Sequence, residues 1–438
     1  KDNLGDPLRE LTGQSVSEAE RQILRTEMGL NDPFAVQYKR FLINAVQGDF
    51  GTSYTFNRPA LEVILDRLVA TLELVFAATL IIIGVVLFNT LMLNSKQVTS
   101  ESLEKIALPN DVFQNLSNKL SDYQSAIEGL DLSKIDSVIL VARGTSDNAA
   151  LFLKYLIETK IGIPCGLASP SVVTIYKSKL RFTNCLVIAV SQSGQSPDIV
   201  TYTQAAKAGG AITISMTNDG GSPLAKSTDL HLYIEAGDEK AVAATKSYSA
   251  QLLLSYIFVS LWAKEKVQLS NLITEAKSLV GKINEIQKVV NDFDHKSGVT
   301  VMGRGFAYAN AHEAALKIQE TLKVPVASFS SADYLHGPIS SLTSNSRVIL
   351  LSPASSAADA ISGTVKKVRD ITKNIYWIGS GFKVESGEEL IGGATNLNEI
   401  ESVIADSIVL QQFAMLLAIK NGLNPDAPTG LLKVTQTI

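Results

Sequence analysis

Apolar and polar positions follow different periods in different parts of the chain. Ser17–Met28 and Ala35–Ala45 repeat apolar residues at helical spacing, and a glycine-containing polar turn follows at Gly48–Thr52. Leu74–Leu93 (LVFAATLIIIGVVLFNTLML) then carries no charge, with only Thr79, Asn89 and Thr90 polar. About 20 such residues suffice for a bilayer-spanning helix, so a membrane-like helix is predicted over 74–93, with a buried core helix as the open alternative. The next most apolar stretch, Leu252–Ala263, is too short to span. It follows a cap-like Thr245 and reads as a core helix. Between these stretches the chain is mixed and polar, with an amphipathic helical pattern in Val112–Ile127.

From Asp136 the pattern becomes strand, turn, helix. Ser137–Val141 is a short β-rich run, followed by ARGTSDN and a helix over Ala149–Glu158. Cys185–Val190 leads through SQSGQSPD into a helix reaching Ala208, and Ala211–Met216 and Leu230–Ile234 add further strands. The plan then repeats. Val299–Met302 with GRGFAYANAHEAALKIQE parallels the first unit, Arg347–Leu351 parallels Cys185–Val190, and Asn374–Ile378 parallels Ala211–Met216. Strands this apolar, alternating with helices, require a parallel sheet covered on both faces. The expected fold class is α/β, with two tandem doubly wound, flavodoxin-like lobes behind a mostly helical segment. The expected division is 1–97, with the hydrophobic helix 74–93; 98–135, a connector and first helix; 136–270, lobe 1; 271–425, lobe 2; and 426–438, a tail.

Composition narrows the function classes. Of 438 residues, 46% are apolar and 19% charged, with a net charge of −4. That is a folding chain without the basic footprint of a nucleic-acid or anionic-lipid binder. Cys165 and Cys185 sit in apolar runs and read as reduced core thiols. No CxxC, HExxH or paired-histidine spacing occurs among the four histidines, so neither a metal site nor a cofactor is expected. The chain opens on Lys1 without a signal peptide, which reads as a fragment or processed form.

Ser191-Gln192-Ser193-Gly194-Gln195-Ser196 lies between an apolar strand and a helix whose first residue is Pro197. Ser196 suits the N-cap, Pro197 the first helical position and Asp198 the helix dipole. Hydroxyls and free N–H groups at such a terminus can hold a phosphate dianion without Lys or Arg. The competing reading is an ordinary capped turn, and the neighbouring Gly144-Thr145-Ser146 turn favours phosphate. The loop lacks the GKS/T ending of a nucleotide P-loop. In the second lobe Ser352-Pro353-Ala354-Ser355 stands in its place.

Two resemblances are carried by motifs. GDPLRELTG, LRTEMGLNDPFAVQYKRFL, GDFGTSY and RLVATLEL resemble the region between the first two membrane helices of dipeptide/oligopeptide ABC-transporter permeases, over residues 5–86. One helix cannot line a translocation path, so transport is not expected; a fusion that tethers the second part and a joining artefact both stay open. VARGTSDN, AVSQSGQSPD, AVAATKSYSAQ, EAALKIQE, YLHGP and NPDAPTGLLKVTQT resemble the sugar isomerase (SIS) family over about 103–438. The likeness is nearest to the isomerase half of glucosamine-6-phosphate synthases and to SIS-type glucosamine-6-phosphate deaminases.

The SIS resemblance implies site roles. Ser191, Gln192, Ser193 and Ser196 match the phosphate loop, and Thr145 and Ser146 match residues on the phosphate and a sugar hydroxyl. Glu320 matches the carboxylate that moves a proton between C1 and C2, and Lys317 a lysine beside it. His336 matches a ring-opening histidine that comes from a neighbouring subunit, so a homodimer is implied. Lys433 matches a tail lysine that closes over the sugar. Ala244 stands where the family often has Ser, and Gln195 where the synthase has an acid. Residue chemistry agrees with these roles: an aldose–ketose shift needs one base between C1 and C2, and Lys317 and Glu320, three apart, share a helix face. A solvated ion pair is the alternative for that pair taken alone. A synthase needs a glutaminase cysteine near its start, and no cysteine precedes Cys165. The expected activity is therefore conversion of glucosamine 6-phosphate to fructose 6-phosphate and ammonia in a cytoplasmic-type enzyme domain, with membrane contact only through 74–93. A simple phosphosugar isomerase or deglycase, and a non-catalytic sugar-phosphate sensor, remain as alternatives.

Overall fold

The computed structural model describes residues 17–79 apart from 54, 55, 57, 67, 69–71, 74 and 77, and residues 109–430 apart from 355 and 429. The chain divides into two compact units, Lys1–Gln97 and Val98–Ile438. In the first, the helical spacing becomes helices Glu18–Glu27 and Phe34–Val46. Ser17 opens the earlier helix with a capping box. Its hydroxyl accepts from the Glu20 N–H at 3.4 Å, while the Glu20 carboxylate accepts from the Ser17 N–H at 3.1 Å. The membrane-like helix predicted over 74–93 lies almost wholly outside the described residues; only 75, 76, 78 and 79 belong to them, and these are helical.

The second unit holds two sheets. The first comprises β1 Ser137–Val141, β2 Cys165–Leu167, β3 Cys185–Val190, β4 Ile212–Thr217 and β5 Leu230–Tyr233. The second comprises β6 Val299–Gly303, β7 Val326–Ser330, β8 Arg347–Leu351, β9 Ile375–Ile378 and β10 Glu389–Gly392. Each is five-stranded and parallel, in the orders β2-β1-β3-β4-β5 and β7-β6-β8-β9-β10. This is the flavodoxin-like order, whose switch point lies between the first and third strands of each sheet. The two-lobed α/β expectation is met. Edge strands β2, β7 and β10 were not predicted: they are short or interrupted by polar residues and glycine.

Six helices matter below: α1 Thr145–Leu156, α2 Pro197–Ala208, α3 Lys246–Trp262, α4 Ala307–Leu322, α5 Ser356–Ile371 and α6 Glu399–Lys420. Burial on both faces explains the unbroken apolar strands. In β3, Leu186, Ile188 and Val190 join a central core, while Cys185, Val187 and Ala189 pack outward against Ile199, Tyr202 and Ala206 of α2. In β8, Ile349 and Leu351 face the centre, whereas Val348 and Leu350 meet Ile361, Val365 and Val368 of α5. Helices α1, α3, α4 and α6 pack on one another within the central core. Both cysteines are free and buried.

Two expectations are corrected. Helix α1 begins at Thr145 rather than Ala149, and ends at Leu156 in a π turn over Ile157–Ile161. Leu252–Ala263 is not the next most apolar helix: α6 is long and apolar enough to cross a bilayer, but it is almost wholly buried and serves as core. Asp406, Gln411 and Gln412 interrupt its sequence without exposing it.

Asp406 is buried on α6, its Oδ1 accepting from the Ala394 N–H at 2.7 Å. Burial pushes its carboxyl from 3.8 up to about 7, against the pull of that N–H. An acid that holds its proton more tightly when folded stabilises the fold at low pH and loses that contribution as pH rises through the folded value. Asp406→Asn retains an acceptor for Ala394 and cannot ionise. Urea unfolding between about pH 4 and 7 should show the parent losing up to ~1.4 kcal/mol per pH unit relative to the variant. Parallel stability curves would show that Asp406 does not titrate there.

Candidate active site

Beyond β3 the chain turns through residues 191–196 into α2. The Ser191 N–H donates to the Met216 carbonyl at 3.1 Å, and its hydroxyl accepts from the Gly194 N–H at 3.1 Å. Gly194 has φ +62°, and a Cβ there would lie 2.3 Å from Ser222 Oγ, so glycine is required. The Ser193 hydroxyl accepts from the Gln195 N–H at 3.3 Å. Ser196 occupies the N-cap position, yet its hydroxyl makes no capping bond, contrary to the expectation above. The N–H groups of Gln192, Ser193 and Ser196 donate to no described residue. Asp198 does more than face the helix dipole: it is buried and paired with Arg143 at 2.8 Å. The loop therefore presents hydroxyls and amide dipoles next to a neutralised Arg–Asp pair.

Across the switch point, Gly144 at φ +56° turns the chain into α1. The Thr145 hydroxyl donates to Glu313 Oε1 at 3.1 Å, and Asn148 Nδ2 donates to Glu313 Oε2 at 2.8 Å. Ser146 is buried and accepts from Gln251 Nε2 of α3 at 3.0 Å, so its hydroxyl is already engaged within the chain.

Helix α4 of the second lobe packs on α1 of the first, which brings Glu313, Lys317 and Glu320 to that turn. Lys317 Nζ lies 3.6 Å from Glu313 Oε1 and donates a short bond to Glu320 Oε2. Burial deepens toward the turn: the Glu320 side chain is 23% exposed, Lys317 3% and Glu313 0%. Burial alone would lower the Lys317 pKa, but the two carboxylates override it and hold the ammonium above its ordinary value. Burial raises Glu313 above the usual carboxylate range, with Lys317 pulling against the rise. The pair expected as Lys317–Glu320 is thus a triad tied to Thr145. Glu313 was missed, although Glu313, Lys317 and Glu320 fall at i, i+4 and i+7 on one helical face.

Ala244 lies on the turn before α3. Thr245 takes the N-cap position, but the cap is supplied by Glu239, whose carboxylate accepts from the Thr245 N–H at 2.9 Å and the Ser247 N–H at 3.1 Å. A cavity of about 40 Å³ lies here, lined by Ala243, Thr245, Lys317, Thr321, Gln411 and Asp426. It has room for about one water beside Lys317.

His336 stands apart. It is exposed in the turn after β7, its backbone N–H donates to the Asp333 carbonyl at 3.0 Å, and its ring bonds to no described residue. Among the described residues no hydrogen bond or ion pair joins it to Lys317 or Glu320. Lys433 lies outside the described residues. Among the described residues no cluster of three or more His, Cys, Asp or Glu side chains is placed to hold a metal.

Comparison with known proteins agrees with this architecture. Residues 131–261 and 293–380 match the SIS domain. The glutamine–fructose-6-phosphate aminotransferase [isomerizing] of Aquifex aeolicus is 31% identical over 310 residues, covering 68% of this chain and 51% of that protein. The chain thus spans about half the length of the curated relatives it matches. The C-terminal domain of glucosamine-fructose-6-phosphate aminotransferase from Francisella tularensis superposes with a TM-score of 0.68 at 23% identity, covering 74% of this chain and 97% of that one. Glucosamine-6-phosphate deaminase from Thermotoga maritima superposes at 0.57 and 22% identity, covering 74% and 99%. These two structures share the fold. The family match falls within the second unit and covers the first sheet and all but the last strand of the second, and by that match the chain belongs to the SIS domain family.

Proposed function

We propose that the second unit binds a phosphorylated sugar at the carboxyl edge of its first sheet and isomerises it by proton transfer between C1 and C2, with glucosamine 6-phosphate as substrate. The observation that carries this is the continuous polar line from the Thr145 hydroxyl through Glu313 and Lys317 to Glu320. It runs from the turn across the switch point from the Ser191–Ser196 loop to a partly exposed carboxylate.

In this reading the N–H groups of Gln192, Ser193, Ser196 and Thr145 and the hydroxyls of Ser191, Ser193 and Ser196 hold the phosphate. Glu320 removes the C2 proton of the open-chain sugar and returns it to C1. Lys317, kept charged by its two carboxylates, stabilises the oxygen on which negative charge develops. The resulting 2-imine takes up water and releases ammonia, leaving fructose 6-phosphate. Ala244 borders the sugar without a hydroxyl to offer. His336 acts from a second copy of the chain to open the ring, and Lys433 closes over the site.

The test is to incubate the full chain with glucosamine 6-phosphate and follow ammonia and fructose 6-phosphate. Equal release of both is expected. No ammonia from glucosamine 6-phosphate but interconversion of glucose 6-phosphate and fructose 6-phosphate would replace the deaminase with a simple isomerase, and binding without any product would leave only a sugar-phosphate sensor.

A further inference from the structure

The two lobes repeat more than their strand order. Arg143 and Arg304, Ser191 and Ser352, and Asp198 and Asp359 recur at one constant spacing along the chain. The pairing register confirms that they are structural counterparts. Val141 pairs with Ala189 in the first sheet, which carries Arg143 beside Ser191. Met302 pairs with Leu350 in the second, which carries Arg304 beside Ser352. Yet the two positions differ in how they are satisfied. Arg143 is neutralised by the buried carboxylate of Asp198 at 2.8 Å. Its counterpart Arg304 forms no ion pair with any described residue and donates only to Ser330 Oγ, at 3.2 Å. Asp359, which would be its partner by symmetry, is exposed.

Hydroxyls collect at the same place. Arg304, Ser331 and Ser352 are each the first residue past the end of three neighbouring strands, β6, β7 and β8. Two residues earlier, Met302, Phe329 and Leu350 occupy one row of the sheet, on the face covered by α5. Period-two alternation puts Arg304 and Ser352 on that same face, one row further out, and Ser331 opens the short helix Ser331–Tyr334 at the end of the neighbouring strand. Ser331 and Ser352 are only 1% and 2% exposed, and the hydroxyl of each has no hydrogen-bond partner. A buried hydroxyl left unmade costs about 1–3 kcal/mol, so two of them beside an uncompensated guanidinium mark a place built for an acceptor. That place is the switch point of the second sheet, where open α/β sheets take their ligands, next to the N-terminus of α5.

We infer that the second lobe carries its own oxyanion site, centred on Arg304 with Ser331 and Ser352, for a phosphate or phosphate ester. It is separate from the sugar site of the first lobe, which uses no arginine.

Equilibrium dialysis of the full chain against labelled inorganic phosphate tests this. Two equivalents per chain are expected, falling to one in Arg304→Gln, with that remaining equivalent displaced by fructose 6-phosphate. Ser352→Ala, a milder change, should weaken only the second equivalent, by roughly 3–10-fold for one lost hydrogen bond. Ser193→Asp should remove only the first. A single equivalent in the parent, or two retained in Arg304→Gln, overturns the proposal. So does a dimer that dissociates in Arg304→Gln while parental phosphate binding stays at one equivalent, since Arg304 would then be a contact between copies. Two equivalents surviving Ser193→Asp would instead count against the first-lobe loop and leave the Arg304 site standing.

Discussion

Glu320→Gln is expected to lower turnover of glucosamine 6-phosphate by roughly 10²–10⁴-fold, the usual weight of a positioned general base, while sugar-phosphate binding hardly changes. The amide has the shape of the carboxylate and still offers an oxygen to Lys317, which keeps Glu313 as its charged partner. What the variant loses is the capacity to take a proton. The phosphate loop lies on the other lobe, so it should hold the substrate as before. In kinetic terms kcat and kcat/KM fall together with KM nearly constant, the signature of an interaction made only in the transition state. Unchanged kcat would remove Glu320 from the chemistry, and a rise in KM alone would make it a binding group.

The fold was legible wherever one physical cause dominated. Strands buried on both faces gave unbroken apolar runs, and β1, β3 and β8 coincide with the predicted Ser137–Val141, Cys185–Val190 and Arg347–Leu351. Sheet edges gave no such signal: β2 is three residues long and β10 alternates weakly. Helix α6 was hidden for the opposite reason. Burial on all sides removes the amphipathic stripe by which a helix is recognised, and its buried polar side chains find donors or acceptors only within the chain, as Gln411 Nε2 does at the Thr245 carbonyl at 3.0 Å.

The candidate site was legible in its residue types but not in its wiring. Ser191–Ser196, Thr145, Lys317 and Glu320 could be named from motifs. That Thr145 bonds to Glu313, or that Ser146 is spent on Gln251, depends on how α4 and α3 cross α1. Such crossings leave no local mark in a sequence. The cap of α3 misleads in another way: Thr245 looks like the cap, and Glu239, six residues earlier, supplies it.

The other large effect concerns stability. Lys317→Met should destabilise the second unit by about 3–5 kcal/mol, because it strands the fully buried Glu313 carboxylate without its cation. Glu313 would keep only the Thr145 and Asn148 donors. Its folded pKa already lies above the ordinary 4.5 through burial, and losing Lys317 moves it further up. A carboxyl raised in this way favours the fold below its unfolded pKa and loses that contribution as pH rises through the folded value. The variant's deficit should therefore be small near pH 5 and grow toward pH 8. Adding Glu313→Gln removes the stranded charge and keeps an acceptor for Thr145, with the new amide N–H donating to Asn148 Oδ1 once that amide turns over, so the double variant should regain most of the loss and lose the pH dependence. Chemical denaturation of the four members of this cycle at both pH values measures the coupling directly. A Lys317→Met variant as stable at pH 8 as the parent would mean that Glu313 reaches water or another cation, and the buried relay from Thr145 to Glu320 would lose its foundation.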